Sequence, residues 1–118
     1  MATTNWTRND TKYGVISLST VLNGGDTSVD LVIPDYADKT IHVFGGTFGS
    51  SQVDVLGLNS TGGTGQSLHR VNDPQLTFSG IASETLALLL ENPGIIRASA
   101  TAGTGTNLTV TIVGKRNL

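Results

Sequence analysis

KTIHVFGGTFGSSQVDVLGL, residues 39–58, decides the fold. Ile41 and Val43 alternate with His42 and Phe44, and Val53 and Val55 oppose Gln52 and Asp54. Each run has one apolar and one polar face at a period of two, the pattern of a half-buried strand. Between them, Gly45-Gly46-Thr47-Phe48-Gly49 places glycine where a reversing chain needs positive φ.

The same period extends in both directions. In GVISLSTVL, residues 14–22, Ile16, Leu18 and Leu22 alternate with Ser17, Ser19 and Val21, and Asn23-Gly24-Gly25-Asp26 is a hairpin-grade turn. The next strand, Ser28 to Ile33, carries Val29, Leu31 and Ile33 on one face and Asp30 on the other, and Pro34 ends it because it has no N–H for a ladder. NSTGGTGQS, residues 59–67, has no apolar side chain and reads as an exposed loop. Short strands Leu68–Val71 and Leu76–Phe78 flank the Asn72-Asp73-Pro74 turn. Ile95–Thr101 and Leu108–Val113 close the chain around Ala102-Gly103-Thr104-Gly105. SETLALLLEN, residues 83–92, suits a helix by composition, but its neighbours are strands. It is read as a buried strand with Leu86, Leu88 and Leu90 inward. The sum is an all-β chain: one antiparallel β-sandwich or barrel of eight to nine short strands over residues 15–118, preceded by an extended or loosely ordered N-terminal arm, residues 1–14.

Composition agrees and removes whole classes of function. Of 118 residues, 15 are Gly, 17 Thr and 10 Ser, and only 14% are charged, about half the usual share. Small, β-branched and uncharged residues favour short strands and tight turns. The chain has no Cys, so disulfides, zinc knuckles and thiol nucleophiles are excluded. A net charge of −2 argues against neutralising phosphates, so no nucleic-acid partner is expected. No apolar run is long enough to span a membrane as a helix. The opening MATTNWTRNDTKYG has no apolar stretch, so no secretory signal is expected.

No motif carries chemistry. The two histidines, His42 and His69, fall short of the three or four ligands of a metal centre. Asp26, Asp30, Asp35, Asp38, Asp54, Asp73, Glu84 and Glu91 are scattered, and Asp35 and Asp38 lack the alternating ligands of a calcium loop. GGTFGSS and GGTGQS lack the Lys of a phosphate-binding loop, and no G-x-S-x-G elbow is present. Four N-x-[ST] sequons, at Asn5, Asn9, Asn59 and Asn107, are what chance supplies in a chain this rich in Ser and Thr. The reading predicts no catalytic residue, no cofactor and no metal.

Binding is what remains. Trp6 stands on a polar arm, and Trp is enriched where proteins meet. Either it folds back to cap its own sandwich, or the arm carries Trp6, Arg8 and Tyr13 to a neighbouring subunit or another protein. Stacking on a sugar ring is a third use, although only six aromatic residues are available.

Between Trp6 and Gly114 the chain carries Asn23-Gly24-Gly25-Asp26-Thr27, then Tyr36, Asp38 and Lys39 leading into IHVFGGTFGSSQVDVLG, NDPQLTFSG, ENPGIIR and NLTVTIVG. In these stretches it resembles small tailed-bacteriophage virion proteins of the head decoration or cement type. After the fourth strand, where such proteins commonly carry an Asp-Gly-Trp-like stretch, this chain has NSTGGTGQSLHR. The resemblance implies a capsid decoration protein made in the host cytoplasm and seated on the capsid exterior. Its implied partners are the major capsid protein and further copies of itself, as dimer or trimer, and it would stabilise the shell by binding only the assembled form. Alternatives in the same reading are a neck, tail or head-fibre component, or a free carbohydrate-binding module.

Overall fold

The computed structural model describes residues 2–10 and 14–116. Among them there is no α-helix, and two sheets face each other across one apolar core. In chain order the strands are β1 (Thr3–Thr4), β2 (Thr7–Asp10), β3 (Val15–Leu22), β4 (Thr27–Ser28), β5 (Leu31–Val32), β6 (Tyr36–Phe44), β7 (Val53–Leu58), β8 (Gln66–Ser67), β9 (Thr85–Leu88), β10 (Ile95–Ala100) and β11 (Leu108–Arg116). One sheet has the order β1-β4-β10-β7-β8, with β5 also on β10, and the other β2-β3-β11-β6-β9. Corresponding places in the two sheets hold consecutive strands: β1 and β2, β4 and β3, β10 and β11, β7 and β6, β8 and β9. The hydrogen-bonded pairs β3–β11, β4–β10, β6–β9 and β7–β8 each lie within one sheet and alternate between the two sheets, which is the jelly-roll way of closing a sandwich.

The alternation read at residues 39–58 is realised. Ile41 and Val43 of β6 and Val53 and Val55 of β7 are buried, while His42, Phe44 and Asp54 face outward and are partly exposed. Ile16, Leu18 and Leu22 of β3, Ile96 and Ala98 of β10, and Leu108, Val110 and Ile112 of β11 complete the core with Phe78. Residues 28–33, expected as one strand, form β4 and β5 separated by a break, and Val29 is exposed while Leu31 and Ile33 are buried.

Residues 83–92 correct one expectation. They do contain a strand, but Leu86, Leu88 and Leu90 point outward. Register is the reason: β9 pairs with β6 so that Ala87 lies opposite the inward Ile41, and Leu86 opposite the outward His42. A shift of one residue exchanges the two faces, so the inward places belong to Thr85, Ala87 and Leu89.

Residues 2–10 are extended and belong to both sheets. β1 runs parallel to β4, and β2 runs antiparallel to β3. At the crossing, Thr20 Oγ1 donates to the Asn5 carbonyl at 3.0 Å and accepts from Thr4 Oγ1 at 2.6 Å.

Candidate interaction surface

Of the three contact residues expected from the sequence, Trp6 is committed to its own domain. It is half-buried, packs on the core, and donates its indole N–H to the Val29 carbonyl at 2.9 Å. Arg8 is exposed and donates through Nη2 to the Tyr36 hydroxyl at 3.0 Å, 6.0 Å from the ring centre. Tyr13 lies outside the described residues. This is the geometry of the first of the three readings of Trp6, in which it caps its own sandwich.

Both histidines are paired with a glutamate, and the two pairs do not converge. His42 Nε2 meets Glu84 at 3.1 Å, and His69 Nδ1 meets Glu91 at 2.5 Å. Burial pushes the Glu91 carboxyl up, but hydrogen bonds from the backbone and ring of His69 outweigh it and hold the carboxylate below its usual range. Asp26 accepts from the backbone N–H groups of Asn23 and Ala2, and Asp54 from that of Gly80. No group of three or more His, Cys, Asp or Glu able to hold a metal ion occurs among the described residues.

Lys39, like Asp26, breaks the rule that charge stays outside. It shares the inward phase of Ile41 and Val43 and is 2% exposed. Its ammonium donates to the Tyr36 carbonyl at 2.6 Å and to Asn92 Oδ1. Burial holds its pKa below the usual lysine value. Asn92 and Glu91 lie on one wall of an open cleft of ≈ 560 Å³, whose other walls come from Gly57–Ser60 and Gly63–Leu68. The cleft has carboxylate, amide and hydroxyl groups but no aromatic side chain and no nucleophile–base pair among its lining residues.

The outer face of the β2-β3-β11-β6-β9 sheet has a different character. Across strands, one row reads Thr7, Ser19, Thr111, His42, Leu86, and the next Asn9, Ser17, Val113, Thr40, Leu88. No Lys, Arg, Asp or Glu stands in either row. At the β9 edge, Leu86, Leu88 and Leu90 are 66%, 39% and 51% exposed, and Val71, whose N–H donates to the Leu88 carbonyl at 2.9 Å, is 41% exposed. The neighbouring His42 and Phe44 rings stack with centres 4.3 Å apart. Sequence reasoning missed this surface because it turned the leucines inward.

The sequence matches no protein-family model and no curated protein. Among solved structures it is similar to an RmlC-like cupin protein from Desulfovibrio desulfuricans, at 9% identity over 95% of this chain and 81% of that one, with a TM-score of 0.48. A second is an uncharacterized conserved protein with a double-stranded β-helix domain from Klebsiella pneumoniae, at 13% identity, 97% and 74% coverage and a TM-score of 0.48. A third is KdgF from Halomonas sp., at 11% identity, 95% and 78% coverage and a TM-score of 0.41. At these identities and scores the likeness transfers no activity or ligand. It does correct the expected role: the similar structures are of cupin and double-stranded β-helix type, and none of the three is a virion protein. The capsid decoration reading and its virion alternatives are withdrawn. Turn and strand patterns such as Asn23–Asp26 and ENPGIIR encode a β-architecture, and an architecture does not specify a partner.

Proposed function

We propose that this chain is a protein-binding β-sandwich domain that works by contact and not by catalysis, through the outer face of the sheet ending in β9. The observation that carries the reading is the run of Leu86 and Leu88 on β9 and Leu90 just beyond it, all substantially exposed and continued by Val71. Exposed leucine side chains at the end of rows that carry no charged residue are a poor surface for water and a good one for a protein partner. Elsewhere the chain satisfies its needs internally: among the described residues no buried side-chain nitrogen or oxygen lacks a hydrogen-bond partner.

The test is site-specific photo-crosslinking in extracts of the source. A photoreactive phenylalanine analogue replaces Leu86 in one variant and Thr61, in the exposed loop, in a control. Protein adducts concentrated at position 86 support the reading. Equal labelling at both positions, or none at 86, overturns it.

A further inference from the structure

We infer that the partner on this face is a second copy of the same chain, packed face to face about a two-fold axis that runs along β11; this rests on the reading that the face binds protein. Three properties of the face select a like copy.

The first is shape. The face is large at one side and small at the other, with Leu86 and Leu88 on β9 and Thr7, Asn9, Ser17 and Ser19 on β2 and β3. β11 lies midway, with two strands on either side. A two-fold axis along β11 carries each copy's β9 over the other's β2 and β3, so both leucine runs settle on small side chains. Large against small is how facing sheets interdigitate at about 10 Å separation, and a patch that complements itself is what a two-fold interface requires.

The second is charge. Two identical surfaces bring identical charges together, which penalises most self-contacts of a chain with a net charge of −2. Here the two central rows carry none; Glu84 at one margin is paired with His42, and the outward Asp38 and Lys115 stand beyond these rows, at the far ends of β6 and β11.

The third is area. The five strands have four, eight, nine, nine and four residues, and at roughly 4.8 Å by 3.4 Å per residue they give a face of about 550 Å². A specific complex buries about 1,000 Å² or more in total, so two such faces suffice only when the whole of each is used.

The experiment joins sedimentation velocity to disulfide trapping. The wild-type chain should sediment as a dimer in a concentration-dependent way. The double variant Leu86→Glu with Leu88→Glu should weaken the dimer at least roughly tenfold, and a circular-dichroism melt of the dilute protein should show that its fold is intact. Because the chain has no Cys, single variants Thr7→Cys and Leu86→Cys can be mixed and oxidised. A disulfide-linked pair that forms in the mixture faster than in either variant alone supports the arrangement. A wild-type chain that stays monomeric, a dimer indifferent to both glutamates, or a mixture that links no faster than its components overturns it. If the chain is monomeric yet crosslinks to another protein from position 86, the second copy is wrong and the binding face stands; monomer without adducts removes both.

Discussion

Arg97 and Asp30, 67 residues apart in sequence, meet in a two-pronged ion pair: Nε donates to Oδ1 at 2.7 Å and Nη2 to Oδ2 at 3.2 Å. The pair also holds the loop after β7, since the Gly62 N–H donates to Asp30 Oδ2 at 2.7 Å and Arg97 Nη1 to the Gly63 carbonyl at 3.2 Å. Replacing Arg97 by Ala leaves Asp30 with its charge and one donor. The variant should lose about 3 kcal/mol, at the low end for breaking such a pair because the arginine is partly exposed, and urea midpoints of the two proteins measure it. Loop protection in hydrogen exchange should fall at Gly62 as well.

Acid should act on the same contacts. The hydrogen bond from Arg97, then that from Gly62, holds the Asp30 carboxyl below its usual range, and the Asn23 N–H does most for Asp26. A carboxylate with a depressed folded pKa contributes stability that is present above its unfolded value, near 3.8, and is lost as pH falls through the folded one. Stability should therefore hold down to about pH 4 and decline below it. In Arg97→Ala that decline should be shallower, because Asp30 loses its largest stabilising contact. Thermal melts from pH 6 to pH 2 report both slopes.

Trp6 is the only tryptophan, which makes its packing directly observable. Its half-buried ring and its bond to Val29 predict blue-shifted fluorescence that moves red on unfolding. Trp6→Ala should cost about 2 kcal/mol, less than the 3–5 kcal/mol of a fully buried aromatic. Trp6→Phe should recover most of the packing but not the hydrogen bond.

Lys39 carries its charge into the core, so its unfolded form keeps the proton to higher pH than its folded form. Between the folded value and the unfolded one near 10.5, the unfolded state binds more protons and stability rises with pH. Lys39→Met removes this dependence while keeping the apolar stem. The difference in urea midpoint between wild type and variant should accordingly shift in favour of wild type as pH is raised from neutrality toward 10; a constant difference would show that the ammonium is not desolvated.

The 45–49 turn can be tested against an internal control. Gly46 has φ +49°, and an added Cβ would lie 1.8 Å from the Thr106 carbonyl oxygen, whereas Gly62, at φ +77°, has open space around it. Gly62→Ala should cost about 1–2 kcal/mol, the left-handed penalty alone. Gly46→Ala should cost clearly more, because the backbone of the 104–107 segment must also move.

Strands were legible wherever polar and apolar residues alternate, as at Lys39–Phe44 and Val53–Leu58. Even the buried lysine left a trace, since Lys39 shares its phase with Ile41 and Val43. The face of β9 was not legible. Period two is the same for either face, and greasiness pointed to Leu86, Leu88 and Leu90, whereas the pairing with β6 gave the interior to Ala87 and Leu89. That pairing joins residues more than 40 apart, as Thr40 with Leu88, and no local pattern encodes it. The interaction surface was lost with it. Trp6 was visible as an oddity, but which protein it touches depends on β4 lying beside β1.

β10 and β11 are the third strands of their sheets. Synthesis runs from the amino end, so a growing chain has made β3, β4, β6 and β7 well before the strands that join them exist. Until residues 95–116 emerge, each sheet is two separate fragments with unsatisfied margins facing the gap. A ribosome stalled before that hairpin would hold an adhesive half-product, and folding of this domain should be a late, single event at the end of its translation and not a gradual one.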